Sequence, residues 1–372
     1  MSLRGPMAAR RRRRRSRGRS GGTGAKNEAL YERVVSFQRM SERRLRAGTE
    51  SVARVEFEVE FPPGHVACYV VDAGVPVLVD AGMPDERGVG GHGEAFREGL
   101  ARHGYEIVDI EHLVVTHPHV DHIGQVPAVL EEATPTVHAP VGVRERFSRD
   151  ADALAERVRE NASRAGLSGD RLADAVEMAR ESLERDRSLL PPAAVDHWVD
   201  PDEAFTVGDL TLTATHAPGH QADHLVYGTA LDGEYALLSG DSGIQPFRPV
   251  VIHDGLDDGH REAIAAFRRG LDRLDALLPT PDRVYPGHGP VHDDLRGVIR
   301  RHRGSLDRRL EGVLEQVANG VRTVPGVAMG IAGDDRSVRY LLPEAMSALA
   351  HLEREGEVVV TVEDDVRYYD PA

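Results

Sequence analysis

The chain has 372 residues, a formal net charge of −15, 40% hydrophobic residues and a single cysteine. That length supports a sizeable core, either as one large domain or as a domain with a small appendage. No apolar run approaches the ~20 residues that cross a bilayer, so no membrane-spanning helix is expected. Cys68 has no partner for a disulfide, and its setting in "HVACYVV" makes it a small core residue. With no signal-like hydrophobic region, a cytoplasmic location is expected.

The charge is unevenly spread. Residues 1–27 hold nine Arg and Lys26 with no acid, leaving −25 on residues 28–372. Lys26 is also the only lysine, so the body balances its acids with arginine. An acidic body argues against a broad nucleic-acid-binding face, because phosphate contacts need clustered cations. The Gly, Ser and Arg of the basic head cannot bury a core, so residues 1–27 are expected to be disordered. The head reads as an upstream extension before a start near Met40, an arm for nucleic acid or acidic lipid, or an organelle-targeting peptide.

In chain order, a helix is predicted from Glu28 to about Arg46, then a half-exposed strand in the alternating "VARVEFEVEF". "HVACYVVDAG" and "VPVLVDAG" form a hairpin of more buried strands, punctuated by Gly74, Pro76 and Gly82. A Gly-rich loop over Gly88 to Gly93 leads into a helix from Glu94 to His103. "IEHLVVTH" is a buried strand, followed by the helix "IGQVPAVLEEA" and the strand "PTVHAP". Residues 142–190 change character: Leu154, Val158, Leu172, Val176 and Leu183 recur at helical intervals among Arg, Glu and Ala, which predicts two or three helices. Strands return at "AFTVGDLTLTATHAPGH", "DHLVYGTA" and "YALLSGD", then a long helix from about Gly259 to Leu278, and a strand in "DRVYPGHGP". The alternation places the chain in the α/β class. Helix follows from Leu295 to Ala318, then a helix from Pro343 to Glu355 and two strands around Glu363-Asp364-Asp365. Helices before a short hairpin suggest a winged-helix-like unit over 294–372. Its candidate recognition helix has too many acids for groove reading, so a packing or lid role is expected.

The chemistry concentrates in "HPHVDH", where His117, His119, Asp121 and His122 fall within six residues after an apolar strand. Imidazole and carboxylate suit borderline divalent metals such as Zn, Fe, Mn or Co, and burying four such groups without a cation is costly. His220 in "HAPGH", Asp241 in "LLSGD" and His288 in "VYPGHG" each stand on a glycine-bearing loop at the end of an apolar strand. Four such loops converging on one sheet edge would make a dinuclear site, with His117, His119 and His220 on one ion, Asp121, His122 and His288 on the other, and Asp241 bridging. His216, His138, His253, His260 and His292 read as structural or exposed.

With its HxHxDH loop and the three later ligand loops, the stretch from about Val55 to His288 resembles the metallo-β-lactamase superfamily. The resemblance implies a four-layer αββα sandwich with two divalent metals, zinc first and Fe or Mn as alternatives, at one edge. Asp80 in "VLVDAG" matches the family's early aspartate, which supports the metal loop from behind the ligands. Thr116 and His224 are candidates for the same supporting role. The domain is expected over 28–293, with the helical insert 142–190 as a cap over the site mouth. Its tail resembles that of a branch with glyoxalase-like and endoribonuclease-like members.

The expected mechanism is attack by a metal-bound hydroxide on a carbonyl or phosphorus, with Asp121 as ligand and acid/base. Asp241 stands where true β-lactamases have cysteine, which argues against antibiotic hydrolysis. A thioester or carboxylic ester is the first substrate reading. A phosphodiesterase acting on RNA follows, opposed by the acidic body, and then a lactonase. A flavodiiron-like redox scaffold would need Glu at His119 and a flavin domain, and a metal-free scaffold would not fill every ligand position. The expected partner is therefore a small-molecule substrate rather than nucleic acid or membrane.

Overall fold

The computed structural model describes residues 51–372 apart from positions 62, 86–90 and 333–334. The basic head and the helix expected from Glu28 lie outside the described residues. Among the described residues, no helix is long and apolar enough to cross a membrane.

Two sheets form the frame. Strands β1 (Val52–Glu58), β2 (His65–Asp72), β3 (Pro76–Val79), β4 (His112–Val114), β5 (Thr136–Pro140) and β6 (His197–Val199) lie side by side in that order. The first two pairings are antiparallel and the rest parallel. The second sheet runs β11 (Arg283–Pro286), β10 (Glu234–Gly240), β9 (Leu225–Leu231), β8 (Leu210–His216), β7 (Ala204–Val207), antiparallel except for β10 with β11. Strand β1 shows how pattern becomes layer: Val55 and Phe57 are buried while Glu56 and Glu58 face out, the period of two that a half-covered strand requires.

Three apolar cores separate four layers. Tyr69, Val71 and Val79 of the first sheet meet Leu212, Tyr227 and Leu238 of the second. The outer face of the first sheet, with Val55, Leu78 and Leu113, packs under helices α1 (His92–Arg102), α2 (Val120–Ile123), α3 (Val126–Glu132) and α4 (Val141–Phe147). The outer face of the second sheet, with Val226, Leu237 and Val284, packs under α7 (Ala263–Asp275) and α8 (Leu295–Ala318). Cys68 is fully buried in the outer core of the first sheet.

The insert consists of α4, α5 (Ala151–Arg164) and the 21-residue α6 (Gly169–Leu189), with α6 packed on the short helix α2 beside the site. The helix expected from Gly259 to Leu278 is shorter: a 3-10 turn at Asp258–Arg261 precedes α7, which stops at Asp275. At the end of the chain, α9 (Val324–Ala332) and α10 (Asp335–Glu355) lead into a hairpin of β12 (Val358–Glu363) and β13 (Val366–Pro371). Helix α10 begins eight residues before Pro343, which lies inside it and not at its start. Leu349, Val358 and Tyr369 belong to the same core as Leu237 and Val284, so the tail packs on the second sheet's helical layer as part of one core.

Candidate metal centre

Strand direction places the ligand loops together. Because β8, β10 and β11 all run the same way, the loops bearing His220, Asp241 and His288 leave from the same edge of the second sheet. The first histidine loop comes from β4 of the other sheet, so the four loops converge on an edge of the sandwich and not on an edge of one sheet. Bonds between the sheets fix that edge: Leu225 N donates to Thr116 O at 3.0 Å, and Ala67 N to Gly287 O at 2.7 Å. The Tyr227 hydroxyl donates to Val115 O at 2.8 Å, and the Tyr69 hydroxyl to Pro286 O at 2.7 Å.

His117 and His119 lie on the loop after β4, but Asp121 and His122 do not. They sit in α2, a four-residue helix that starts directly after His119 and ends against Gly124. The helical turn separates the two side chains from the preceding pair and aims them at a neighbouring position. Two glycines make room, one for His122 and one for Thr116. A Cβ on Gly287 would lie 2.5 Å from His122 Cε1, and one on Gly240 (φ +47) would lie 2.5 Å from Thr116 Oγ1.

All seven candidate ligands meet, in two sets. His117, His119, His220 and Asp241 present ligand atoms within 4.8 Å of one another, and Asp121, His122 and His288 do the same. Asp241 touches both: its Oδ2 lies 3.0 Å from His220 Nε2 and its Oδ1 3.1 Å from His122 Nε2.

The imidazole tautomers test whether a cation belongs there. His122 Nδ1 lies 2.8 Å from Asp80 Oδ2, His220 Nδ1 2.9 Å from Val250 O, and His288 Nδ1 2.7 Å from His65 O; each can only donate to those oxygens. Thr116 donates its hydroxyl to Asp80 Oδ2 at 2.8 Å, so it accepts from His117 Nδ1 at 3.0 Å. Each of these rings therefore points the lone pair of Nε2 inward. His117 Nε2 and His220 Nε2 approach His119 Nδ1 at 3.1 and 3.0 Å. His122 Nε2 and Asp241 Oδ1 are close but misaligned, and both are buried without a hydrogen-bond partner. A proton on His119 Nδ1 would serve only one of the two lone pairs aimed at it at a time, and His122 Nε2 and Asp241 Oδ1 stay unsatisfied, which is costly in a buried site; a divalent cation in each set would satisfy them.

The ionisation of the cluster follows from burial and contacts. Burial pushes His117 and His119 well below the usual histidine range, aided by neighbouring imidazoles, so both are neutral. For Asp121, burial raises the carboxyl, but His122 and His288 outweigh it and hold it down at about 2. Burial works against protonation of His122, yet Asp241, Asp80 and Asp121 carry it well above its ordinary value; His288 is raised by Asp241 and Asp121.

The supporting residues also fall into place. Asp80, in a left-handed conformation (φ 57), accepts from Thr116 N and Oγ1 and from His122 Nδ1, all at 2.8 Å. His224 is buried under His117 and accepts from Asp241 N at 3.1 Å, holding Asp241 by its backbone; burial pushes its pKa down to about 3. The carbonyls of His65 and Val250 were not visible to sequence reasoning, since a backbone acceptor has no residue signature. His138 stands away from the centre, in a ring-to-ring chain with His112 and His197.

A four-layer sandwich with this His/Asp cluster at its edge defines a metallohydrolase of the metallo-β-lactamase type. The model of the metallo-beta-lactamase superfamily matches residues 61–288, and the chain belongs to that superfamily. It is 25% identical over 275 residues to the probable metallo-hydrolase YqjP of Bacillus subtilis, covering 71% of this chain and 80% of that protein. It is 28% identical over 138 residues to an atrochrysone carboxyl ACP thioesterase of Cryptosporiopsis, 36% of this chain and 38% of that one. A metallo-beta-lactamase family protein of Thermus thermophilus has the same fold, with TM-score 0.71 at 22% identity over 87% of this chain and 99% of its own.

Proposed function

We propose that this chain hydrolyses thioesters or related carboxylic esters with two divalent cations, zinc first, held by His117, His119 and His220 and by Asp121, His122 and His288, with Asp241 between them. The observation that carries the reading is the pair of abutting ligand sets sharing Asp241. Bound there, such ions supply Lewis acidity that brings the pKa of water from ~16 towards neutrality and polarises an acyl oxygen. The thioesterase among the relatives supports an acyl-sulfur substrate.

The chain's own groups handle orientation and protons. Asp121 is ionised at neutral pH and is the less covered of the two ligand carboxylates, with 12% side-chain exposure against 7% for Asp241. It is placed to accept the proton of the attacking water and return it to the leaving group. Thr116, Asp80 and His224 hold the ligand rings and the Asp241 backbone, so the nucleophile's position is set before substrate arrives. The insert faces the same mouth: Arg146 lies within electrostatic reach of His119, and Asp186 within reach of Asp121. We assign it the role of substrate cap.

The test is release of free thiol from a panel of acyl thioesters by zinc-loaded protein, with a chelator-treated sample beside it. Chelator-sensitive turnover that disappears in Asp241→Ala is expected. No release from any thioester, with metal confirmed in the sample, overturns the substrate reading and moves the search to RNA and lactones.

A further inference from the structure

We infer that Glu344, in the C-terminal helix α10, is a positioning residue for one of the two metal sites, acting through the segment Arg248–Val251 on His220. The inference rests on the metal reading above and is independent of the substrate.

Glu344 is fully buried, and its carboxylate is divided between three donors. Oε1 accepts from Arg248 Nη2 at 2.7 Å and from Arg309 Nε at 2.9 Å, while Oε2 accepts from the backbone N–H of Val251 at 2.8 Å. Burial pushes this carboxyl up, but Arg248 and the hydrogen bonds outweigh it, so it stays ionised. Arg248 also donates Nη1 to Pro249 O at 2.8 Å. The segment is thus clamped at Arg248 by a side chain and at Val251 by the backbone. Between the clamps, Val250 O accepts from His220 Nδ1 at 2.9 Å, the hydrogen bond that turns the ring so that Nε2 faces His119 and Asp241.

A buried carboxylate is an expensive way to join two helices, since apolar side chains of similar volume do it at no desolvation cost. What the carboxylate adds is direction. It fixes a backbone carbonyl against a ligand ring, and outer groups of this kind typically change metal affinity by about 10–100-fold when lost. The ring that these contacts orient, His220, belongs to the set His117, His119, His220 and Asp241 and not to the set Asp121, His122 and His288. His288 in the other set is held by His65 O, which is remote from α10 in this network. A residue that merely glued the tail to the body would have no reason to favour one set.

The experiment is zinc titration of the full chain against a competing chelator, comparing the chain as it stands with Glu344→Gln. The amide keeps the shape but replaces one acceptor with a donor facing either Val251 N–H or the guanidiniums. The expected result is a fall of tenfold or more in affinity for one zinc equivalent, with the other within about twofold. In zinc-loaded, nitrogen-labelled protein, the downfield Nδ1–H resonance of His220 is expected to shift or vanish while that of His288 stays. Arg248→Lys is the second variant: it keeps a cation beside Glu344 but loses the fork that reaches both Glu344 and Pro249 O. It should give the same selective loss, and it decides the matter if Glu344→Gln does not fold. Equal affinities to the unaltered chain, or an equal fall at both equivalents, overturns the proposal. Absence of zinc binding in the unaltered chain overturns it together with the metal reading, whereas failure to hydrolyse thioesters touches neither.

Discussion

Oδ2 of Asp80 lies 2.8 Å from Nδ1 of His122, and the same oxygen accepts from Thr116 Oγ1. One carboxylate therefore orients His122 directly and, through the threonine hydroxyl, His117 as well. These rings belong to different ligand sets, so Asp80 couples the two. In Asp80→Asn the amide presents one oxygen where three donors are now accepted by two. Metal affinity at both sets is expected to fall by about 10–100-fold. Chelator-competition titration checks it, and a change confined to one equivalent would break the proposed coupling.

The seven candidate ligands were legible because each is a short local string, such as "HPHVDH" or "SGD", after an apolar strand. What holds them was not. His65 and Val250 act through carbonyls, and His65 is 223 positions from the ring it orients. Helix α2 escaped notice because four residues cannot display a helical period. Pro343 reads as a helix start because its missing N–H is tolerated there, yet tertiary packing of α10 keeps it eight residues in. The αββα layering came from resemblance, since periodicity predicts strands but not which sheet each joins.

Asp241 is the residue common to both sets, and His224 holds it from the backbone side. Asp241→Asn keeps the shape but removes the shared negative charge. A loss of more than about 100-fold in turnover is expected, beyond the usual effect of residues that act behind the ligands. Zinc content measured after gel filtration should fall below two equivalents. Full zinc content with undiminished turnover would remove Asp241 from the centre.

Asp223 is buried with neither carboxylate oxygen hydrogen-bonded, and burial raises its pKa to about 6 despite Arg146. A folded pKa above the ordinary aspartate value means that the native state binds the extra proton. Stability therefore falls as pH rises from about 4 to about 6, and the penalty is constant above that window. Asp223→Asn removes a charge that costs about 3 kcal/mol at pH 8, from roughly 1.4 kcal/mol per pKa unit. Urea unfolding should show the variant more stable at pH 8 and nearly equal at pH 4. A gain at pH 4 as large as that at pH 8 would mean that titration of this group is not the cause.

The tail bears on whether the chain after Asp293 is an appendage or part of the body. Leu295, Ile299, Leu306 and Val313 of α8 share one core with Leu237 and Val284 of the second sheet, and Leu349 of α10 joins them. His302, also on α8, donates Nε2 to Ile244 O at 2.8 Å, on the segment that follows Asp241. Removing residues 294–372 would uncover the sheet's outer face and release that segment as well. Residues 51–293 alone are therefore expected to lack cooperative unfolding and zinc binding, as read by circular dichroism and metal analysis. The point substitution Leu349→Ala, in the fully buried part of the same core, should cost about 2–5 kcal/mol without abolishing the fold. A soluble 51–293 fragment that unfolds cooperatively and keeps two zinc equivalents would make the tail separable, and would also leave Glu344 with no part in holding His220.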